Sequence, residues 1–441
     1  MSFLRIFVLF MVFNNHAYAE LKQSSIIVDA RAEKLIKSIL ERLCRAVDRP
    51  SVPKIYFIVD KSINAFATGE SKIFIHTGLI IQFETVDQLI AVLAHELGHI
   101  TGGHIHRMSS EMRGATAASI IGTLLGGAAA LAGGGFEALL AGTMLGQGAA
   151  MGTFASFSQT HEKEADAAGF RMMQAAGFST KGFIEVFKLF QKKNKFGEPP
   201  YLKTHPSDEE RIADAEGRIE DNPDTGSTPE EMRNEFKIIQ AIFKANLQDA
   251  SEVARFYYGE KIRETAAAKI AKIIILSRKG QYEEAFEKLE DIIRDQPNNP
   301  YLHEMYGQFL LESGNPKKAV DHLKKAVNLA PEALSIRLLY AQALFTNSSD
   351  NAQEALDQLN RITQDDPDNI AAWLLKVGAY RKLNQNDLAD LAHAEALMRT
   401  GNIPHAKQRA KRAQKSKDPK VKAQATMLLE DSRLSTDALE E

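Results

Sequence analysis

The second half of the chain repeats. Ala285 and Ala319 stand 34 residues apart, as do Pro297 and Pro331, and Gly307 and Ala341 keep the same step. The next proline interval, Pro331 to Pro367, is 36 and contains the polar insertion Asn347-Ser-Ser-Asp-Asn351, after which Ala355 to Ala389 returns to 34. A period of this length, with small residues where two helices touch and proline after the second helix, is the tetratricopeptide pattern. Trp373 and Tyr380, at the start of a later repeat, fit it. One such helix pair cannot bury its apolar face alone, so the pairs must stack into an all-α solenoid whose concave face suits protein binding. The remainder must fold separately, because 441 residues exceed what one core usually organises.

The N-terminal half reads differently. Arg5, the apolar run Ile6 to Phe13 and Ala17-Tyr18-Ala19 make a secretory signal with cleavage after Ala19, which predicts a mature chain outside the cytoplasm. Cys44 is the single cysteine, so no intramolecular disulfide and no cysteine-built metal site is possible. It sits among Leu35, Ile36, Ile39, Leu40 and Leu43 on an amphipathic helix and reads as a small buried hydrophobe. Residues 55–59 and 73–76 are short β-rich runs that predict a small sheet. Thr85 with Gln88 then forms a capping box for a helix marked by Leu89, Ile90, Leu93, Leu97 and Ile100.

That helix carries His95-Glu96-Leu97-Gly98-His99. Positions i and i+4 share a face, so His95 and His99 can ligate one zinc ion, while Glu96 can reach a water on the metal and act as general base. A catalytic zinc needs a third protein ligand and an open fourth position. The metzincin spacing would put a third histidine at Ile105, with His104 and His106 missing by one on either side. The better candidate is His161-Glu162-Lys163-Glu164-Ala165-Asp166, where Glu162 and Asp166 form another i, i+4 pair. One carboxylate can bind zinc while the other orients a histidine; Glu164 falls on another face and reads as solvated, and His161 as turned away. His104 and His106 read as capping or flanking the end of the helix, the alternative being that they support a ligand from behind. Between the two motifs, residues 115–160 carry one charge, Glu137, and read as a helical hairpin that covers the site or touches a membrane surface, a true span being the alternative.

Together with Asn64-Ala65-Phe66, Thr77-Gly78-Leu79, Thr204-His205-Pro206 and Arg211-Ile212, this ordered set resembles the BepA-type (YfgC-like) periplasmic zinc metalloproteases over nearly the whole mature chain. The resemblance implies an α+β zincin-like domain, mostly helical with a small sheet, followed by the tetratricopeptide solenoid. It implies one zinc per chain held by His95, His99 and Glu162, Glu96 as general base and Asp166 as the partner of a ligand. It also implies that His205 can occupy the fourth position and restrain the enzyme. Gln159 departs from the pattern, since such sequences often carry arginine there. Asn64-Ala65-Phe66 is the candidate edge strand for holding an extended substrate, with an ordinary buried turn as the alternative.

The resulting expectation is a signal peptide at 1–19, a protease domain at 20–221, a linker with connecting helices at 222–264 and repeats at 265–441. The resemblance implies a periplasmic endopeptidase that degrades misassembled envelope proteins and assists outer-membrane protein assembly, with the repeats recruiting clients or the insertion machinery. The alternative is a repeat-based chaperone or assembly factor with a restrained zinc site. A net charge of −3 gives no reason to expect nucleic acid.

Overall fold

The structure is a computed structural model and describes residues 26–68, 71–105, 107, 159–194, 205, 209–221, 226–259 and 264–431. The expected signal at 1–19 lies outside the described residues, as does the apolar segment at 115–160 except for its last two positions. No helix among the described residues is long and apolar enough to cross a membrane. The described chain divides into two compact units, the first ending at Lys279 and the second starting at Gly280.

In the first unit, β1 (Ile26–Ile27), β2 (Lys54–Ile58), β3 (Ala65–Thr68) and β4 (Lys72–His76) form one sheet in the order β1-β2-β4-β3. The β2–β4 pair is parallel and the two outer pairs are antiparallel. Tyr56, Phe74 and Phe66 lie in register across β2, β4 and β3 and stack at centroid distances of 5.1 and 5.2 Å. Each such pair adds about 0.5–1.5 kcal/mol beyond its buried area, which helps to fix the register of so short a sheet. Among the described residues, strand β3 is an edge. Asn64 O accepts from His76 N at 2.9 Å and so faces β4; by alternation Phe66 and Thr68 do the same, and the main-chain groups of Ala65 and Ala67 point away from β4.

Helix α1 (Ala30–Arg45) starts at Asp29, whose side chain accepts from Ala32 N, and buries Leu35, Ile36, Ile39, Leu40, Leu43 and Cys44. The short α2 (Thr77–Gln82) leads to α3 (Val86–Thr101), which opens on the Thr85–Gln88 capping box and buries every residue from Leu89 to His99. Helix α4 (Gln159–Ala175) crosses α3 at very short range. A Cβ on Gly98 would stand 2.7 Å from Ala165 O, and one on Gly169 would stand 3.0 Å from the backbone of Ala94. The crossing is close because glycine sits at both contact points. Helices α5 (Lys181–Asn194) and α6 (Glu209–Asp221) complete the surround of α3 and α4.

Residues 226–279 belong to the same unit. Helix α7 (Glu230–Leu247) packs on α1 and α2, and its buried Gln240 side chain donates to Ile80 O and Phe83 O at 2.9 and 2.6 Å. Helices α8 (Ala250–Tyr257) and α9 (Ala266–Arg278) pack on α7 in turn.

The second unit is a succession of antiparallel helices: α10 (Tyr282–Asp295), α11 (Pro300–Glu312), α12 (Pro316–Leu329), α13 (Leu334–Asn347), α14 (Ala352–Asp365), α15 (Ile370–Lys382), α16 (Asn386–Arg399), α17 (Ile403–Ala413) and α18 (Pro419–Glu430). Each packs on the next. The small residues of the period, Ala285, Ala319, Ala355 and Ala389, are all buried. The prolines mark the turns between repeats, and in each turn the Pro carbonyl accepts from a side chain six residues on: His303 to Pro297 at 3.0 Å, Arg337 to Pro331 at 2.6 Å and Trp373 to Pro367 at 2.8 Å. The polar insertion lies in the turn between α13 and α14, a 3-10 turn at Ser349–Asn351. Gly314, at φ +80°, makes the corresponding turn one repeat earlier.

Candidate metal centre

Three elements bring the site together. Helix α3 supplies His95, Glu96 and His99; α4 supplies Glu162, Glu164 and Asp166; the segment before α6 supplies His205, and α6 itself supplies Arg211. His95, Glu96, His99, Glu162 and His205 are all buried. One donor atom from each of His95, His99, Glu162 and His205 lies within 4.8 Å of the other three.

The pairwise distances test whether a metal fits. His95 Nε2 is 2.9 Å from His99 Nε2 and 3.2 Å from His205 Nδ1. Glu162 Oε1 is 3.0 Å from His205 Nδ1 and 3.3 Å from His99 Nε2, and Glu162 Oε2 is 3.4 Å from His95 Nε2. A tetrahedral zinc with bonds of about 2.0–2.1 Å separates its ligand atoms by about 3.3–3.4 Å. Five of the six pairs among the four groups therefore stand within about 0.5 Å of the spacing such an ion imposes.

Hydrogen bonds behind the donors decide which ring nitrogens face inward. His95 Nδ1 is 2.8 Å from Asp166 Oδ1, so it donates to that carboxylate and Nε2 is left for a proton or a cation. Arg211 braces the carboxylates, with Nε and Nη2 donating to Asp166 at 2.7 and 2.9 Å and Nη1 2.9 Å from Glu162 Oε2. Behind His99, its Nδ1 is 2.9 Å from His104 Nδ1, and His104 Nε2 is 3.0 Å from Glu164 Oε2. Burial, with His161 and Arg107 nearby, holds His104 below the ordinary histidine range against the pull of Glu164. Glu164 can only accept, so His104 donates through Nε2, accepts through Nδ1 from His99, and leaves the His99 Nε2 lone pair inward. Inward lone pairs 2.9 Å apart beside a buried carboxylate repel one another unless positive charge lies between them.

The electrostatics point the same way. Burial alone would raise Glu162, but His205 and His95 outweigh it and hold the carboxyl far below the usual range. Burial would likewise raise Asp166, and Arg211 and His95 overcome it. Burial lowers His99 well below the ordinary value. His95 resists its burial, because Glu162 and Asp166 push it up to about 10. Glu96 is raised by burial, only partly offset by His205 and His95. Among the described residues its oxygens have no full hydrogen bond; the Ala67 backbone on β3 faces them, and His205 Nε2 is 3.5 Å away.

Most residues singled out in the sequence converge here: His95, Glu96, His99, Glu162, Asp166 and His205. Asn64 precedes the edge strand, and Ala65 and Phe66 lie within it, packed beside α3. Two contacts emerge only in the structure. Glu164, expected in solvent, is half exposed but holds His104, and Arg211 reaches Glu162. His161 stacks on His104 with centroids 4.7 Å apart.

Both parts of the chain are similar to known proteins. Residues 30–219 match the model of peptidase family M48, and residues 289–410 match that of the cytochrome c-type biogenesis protein H TPR domain. The chain is 27% identical over 395 residues to the beta-barrel assembly-enhancing protease of Escherichia coli (strain K12), covering 86% of this chain and 78% of that one. It is 27% identical over 387 residues to a putative beta-barrel assembly-enhancing protease of Vibrio cholerae serotype O1, covering 85% and 77%. Metalloprotease LoiP of Escherichia coli (strain K12) is 26% identical over 209 residues, covering 47% of this chain and 79% of that one.

Proposed function

We propose that this chain, a metalloprotease with an M48 peptidase domain followed by tetratricopeptide-like helices, is a zinc endopeptidase of the bacterial envelope. In this reading it removes misassembled proteins and assists β-barrel assembly at the outer membrane. The observation that carries the reading is the buried tetrahedron of donor atoms with Glu96 beside it. His95, His99 and Glu162 would hold one zinc, with His205 as a fourth, restraining ligand. When bound, zinc supplies a Lewis acid that polarises a carbonyl and acidifies water.

The chain's own residues do the rest. Glu96, raised by burial, is suited to take a proton from the attacking water and return it to the departing amine nitrogen. Asp166 and Arg211 keep His95 in the tautomer that presents Nε2. The outward main-chain groups of Ala65 and Ala67 offer the ladder on which an extended peptide lies as an added strand, and Ala67 brings that ladder beside Glu96. The repeats recruit envelope clients or the insertion machinery; the relatives named for β-barrel assembly support that choice, and a signal at 1–19 would deliver the chain to the periplasm. The burial of His205 within the donor set also favours a second role, in which a restrained site leaves the repeats to act as an assembly factor.

The test is metal content with hydrolysis. Glu96→Gln should retain one zinc per chain and lose cleavage, whereas Glu162→Ala should lose both. A Glu162→Ala chain with full zinc and normal cleavage would reject the ligand assignment.

A further inference from the structure

Helix α3 ends in two glycines, and each has a steric reason. Gly103 adopts φ +66°, the left-handed turn that ends the helix and sends the chain back over its last turn. Gly102 then lies directly beneath the returning His104 ring: a Cβ there would stand 2.3 Å from Nε2 and 2.7 Å from Cδ2. The ring is buried in this position, with His161 stacked on it. Its two nitrogens reach opposite ways, Nδ1 to His99 Nδ1 at 2.9 Å and Nε2 to Glu164 Oε2 at 3.0 Å. Arg107 closes the cluster, with Nη2 on Glu164 Oε2 at 3.1 Å and Nη1 donating to Gly102 O at 2.7 Å.

The arrangement mirrors the one behind His95. There a carboxylate from α4, Asp166, braced by Arg211, takes the outer N–H of the imidazole. Behind His99 the carboxylate also comes from α4, as Glu164, and is braced by Arg107, but an imidazole is interposed between carboxylate and ligand. We propose that His104 is a positioning residue for His99, a relay through which Glu164 fixes the His99 tautomer and ring orientation so that Nε2 faces the metal. The proposal rests on the reading of His99 as a ligand. Partners of this kind typically change metal affinity 10- to 100-fold.

Chelator competition on the full mature chain tests it, with zinc content and thermal melts recorded alongside. His104→Ala removes the relay and should weaken zinc binding about 10- to 100-fold while the zinc-loaded chain stays folded. Gly102→Ala leaves His104, Glu164 and Arg107 unchanged but fills the space the ring occupies. Gly102 has φ −71°, which alanine accepts, so this variant should weaken zinc binding to the same extent without loss of fold. His104→Asn places an amide oxygen near the position of Nδ1 and should restore affinity to within about threefold of the parent chain. Parent-like affinity in both His104→Ala and Gly102→Ala overturns the proposal. So does an asparagine variant as weak as the alanine one, since the acceptor at Nδ1 would then not be what matters. A parent chain that takes up no zinc rejects instead the ligand assignment beneath it.

Discussion

Replacing Gly98 by alanine separates what the zinc-binding pattern needs chemically from what it needs sterically. Gly98 lies between the two histidines of α3 and touches no donor atom. In isolation the change should help, because alanine in a helix interior is favoured over glycine by about 0.5–1 kcal/mol. Here the new Cβ would lie 2.7 Å from Ala165 O and 3.0 Å from Ala165 Cα, against ordinary contact from 3.4 Å. These are backbone atoms, so relief requires α4 to retreat by about 0.4–0.7 Å. Overpacking of this kind costs about 1–3 kcal/mol, which leaves a net loss of about 0–2.5 kcal/mol. The retreat carries Glu162, three residues from Ala165, away from His95 and His99. Metal sites tolerate about 0.2 Å in their bond lengths, so zinc affinity should fall tenfold or more. Denaturant unfolding with and without zinc, plus chelator competition, reads both quantities. Gly217→Ala is the control, since a Cβ on that α6 glycine meets nothing among the described residues within 4 Å and should stabilise. A Gly98→Ala chain as stable as the Gly217→Ala control, with parent-like zinc affinity, would refute the argument.

Two other outcomes follow from buried groups. His205 lies 3.2 Å from His95 and 3.0 Å from Glu162, so if it restrains the site, His205→Ala raises basal cleavage of envelope proteins or of the chain itself at least tenfold, about 1.4 kcal/mol; unchanged proteolysis with intact zinc content and fold rejects the restraint. In the repeats, Lys376 is 7% exposed, with Nζ 3.2 Å from Thr363 Oγ1 and 4.3 Å from the centre of the Trp373 ring, and burial pushes its pKa down to about 8. Between about pH 8 and the unfolded value near 10.4 the unfolded state binds more protons, so stability rises with pH across that window, while at pH 7 both states are charged and the burial cost is present in full. Lys376→Met should therefore stabilise the repeats at pH 7 by about 1–3 kcal/mol and abolish the alkaline rise, which unfolding curves at pH 7 and 10 will show or contradict.

What could be read from the sequence was whatever has a short period or a fixed spacing. The 34-residue step identifies the repeats, and the i, i+4 spacings put His95 with His99, and Glu162 with Asp166, on single faces. The expected strands at 55–59 and 73–76 fall one residue from the observed β2 and β4. Strand β1 has two residues and so carries no period at all. The Pro carbonyl contacts escape notice for a different reason: histidine, arginine and tryptophan fill equivalent positions, and only the N–H they share explains the substitution. Arg211 was visible as a residue but not as a brace, because its link to Glu162 and Asp166 spans 45 residues or more of chain. Glu164 was assigned to solvent by helical geometry alone. Its partner comes from another helix, and the signal that could have revealed it was the Gly102-Gly103 pair, which turns His104 back over α3.

The two glycines that flank His99 in sequence thus serve different walls of the same site. Gly98 lets α4 approach closely enough to bring Glu162 to the histidines, and Gly102 leaves room for His104 behind His99. Each weakens a helix intrinsically, and α3 can carry them because its residues from Leu89 to His99 are buried and its start is capped by Thr85 and Gln88. One stretch of α4 then meets both walls. Glu162 faces the donor set, Asp166 stands behind His95, and Glu164 stands behind His99 through His104. The acidic cluster that looks in sequence like an exposed charged helix is therefore divided among three neighbours. The separation between α3 and α4, set by a missing methyl group, governs all three contacts together.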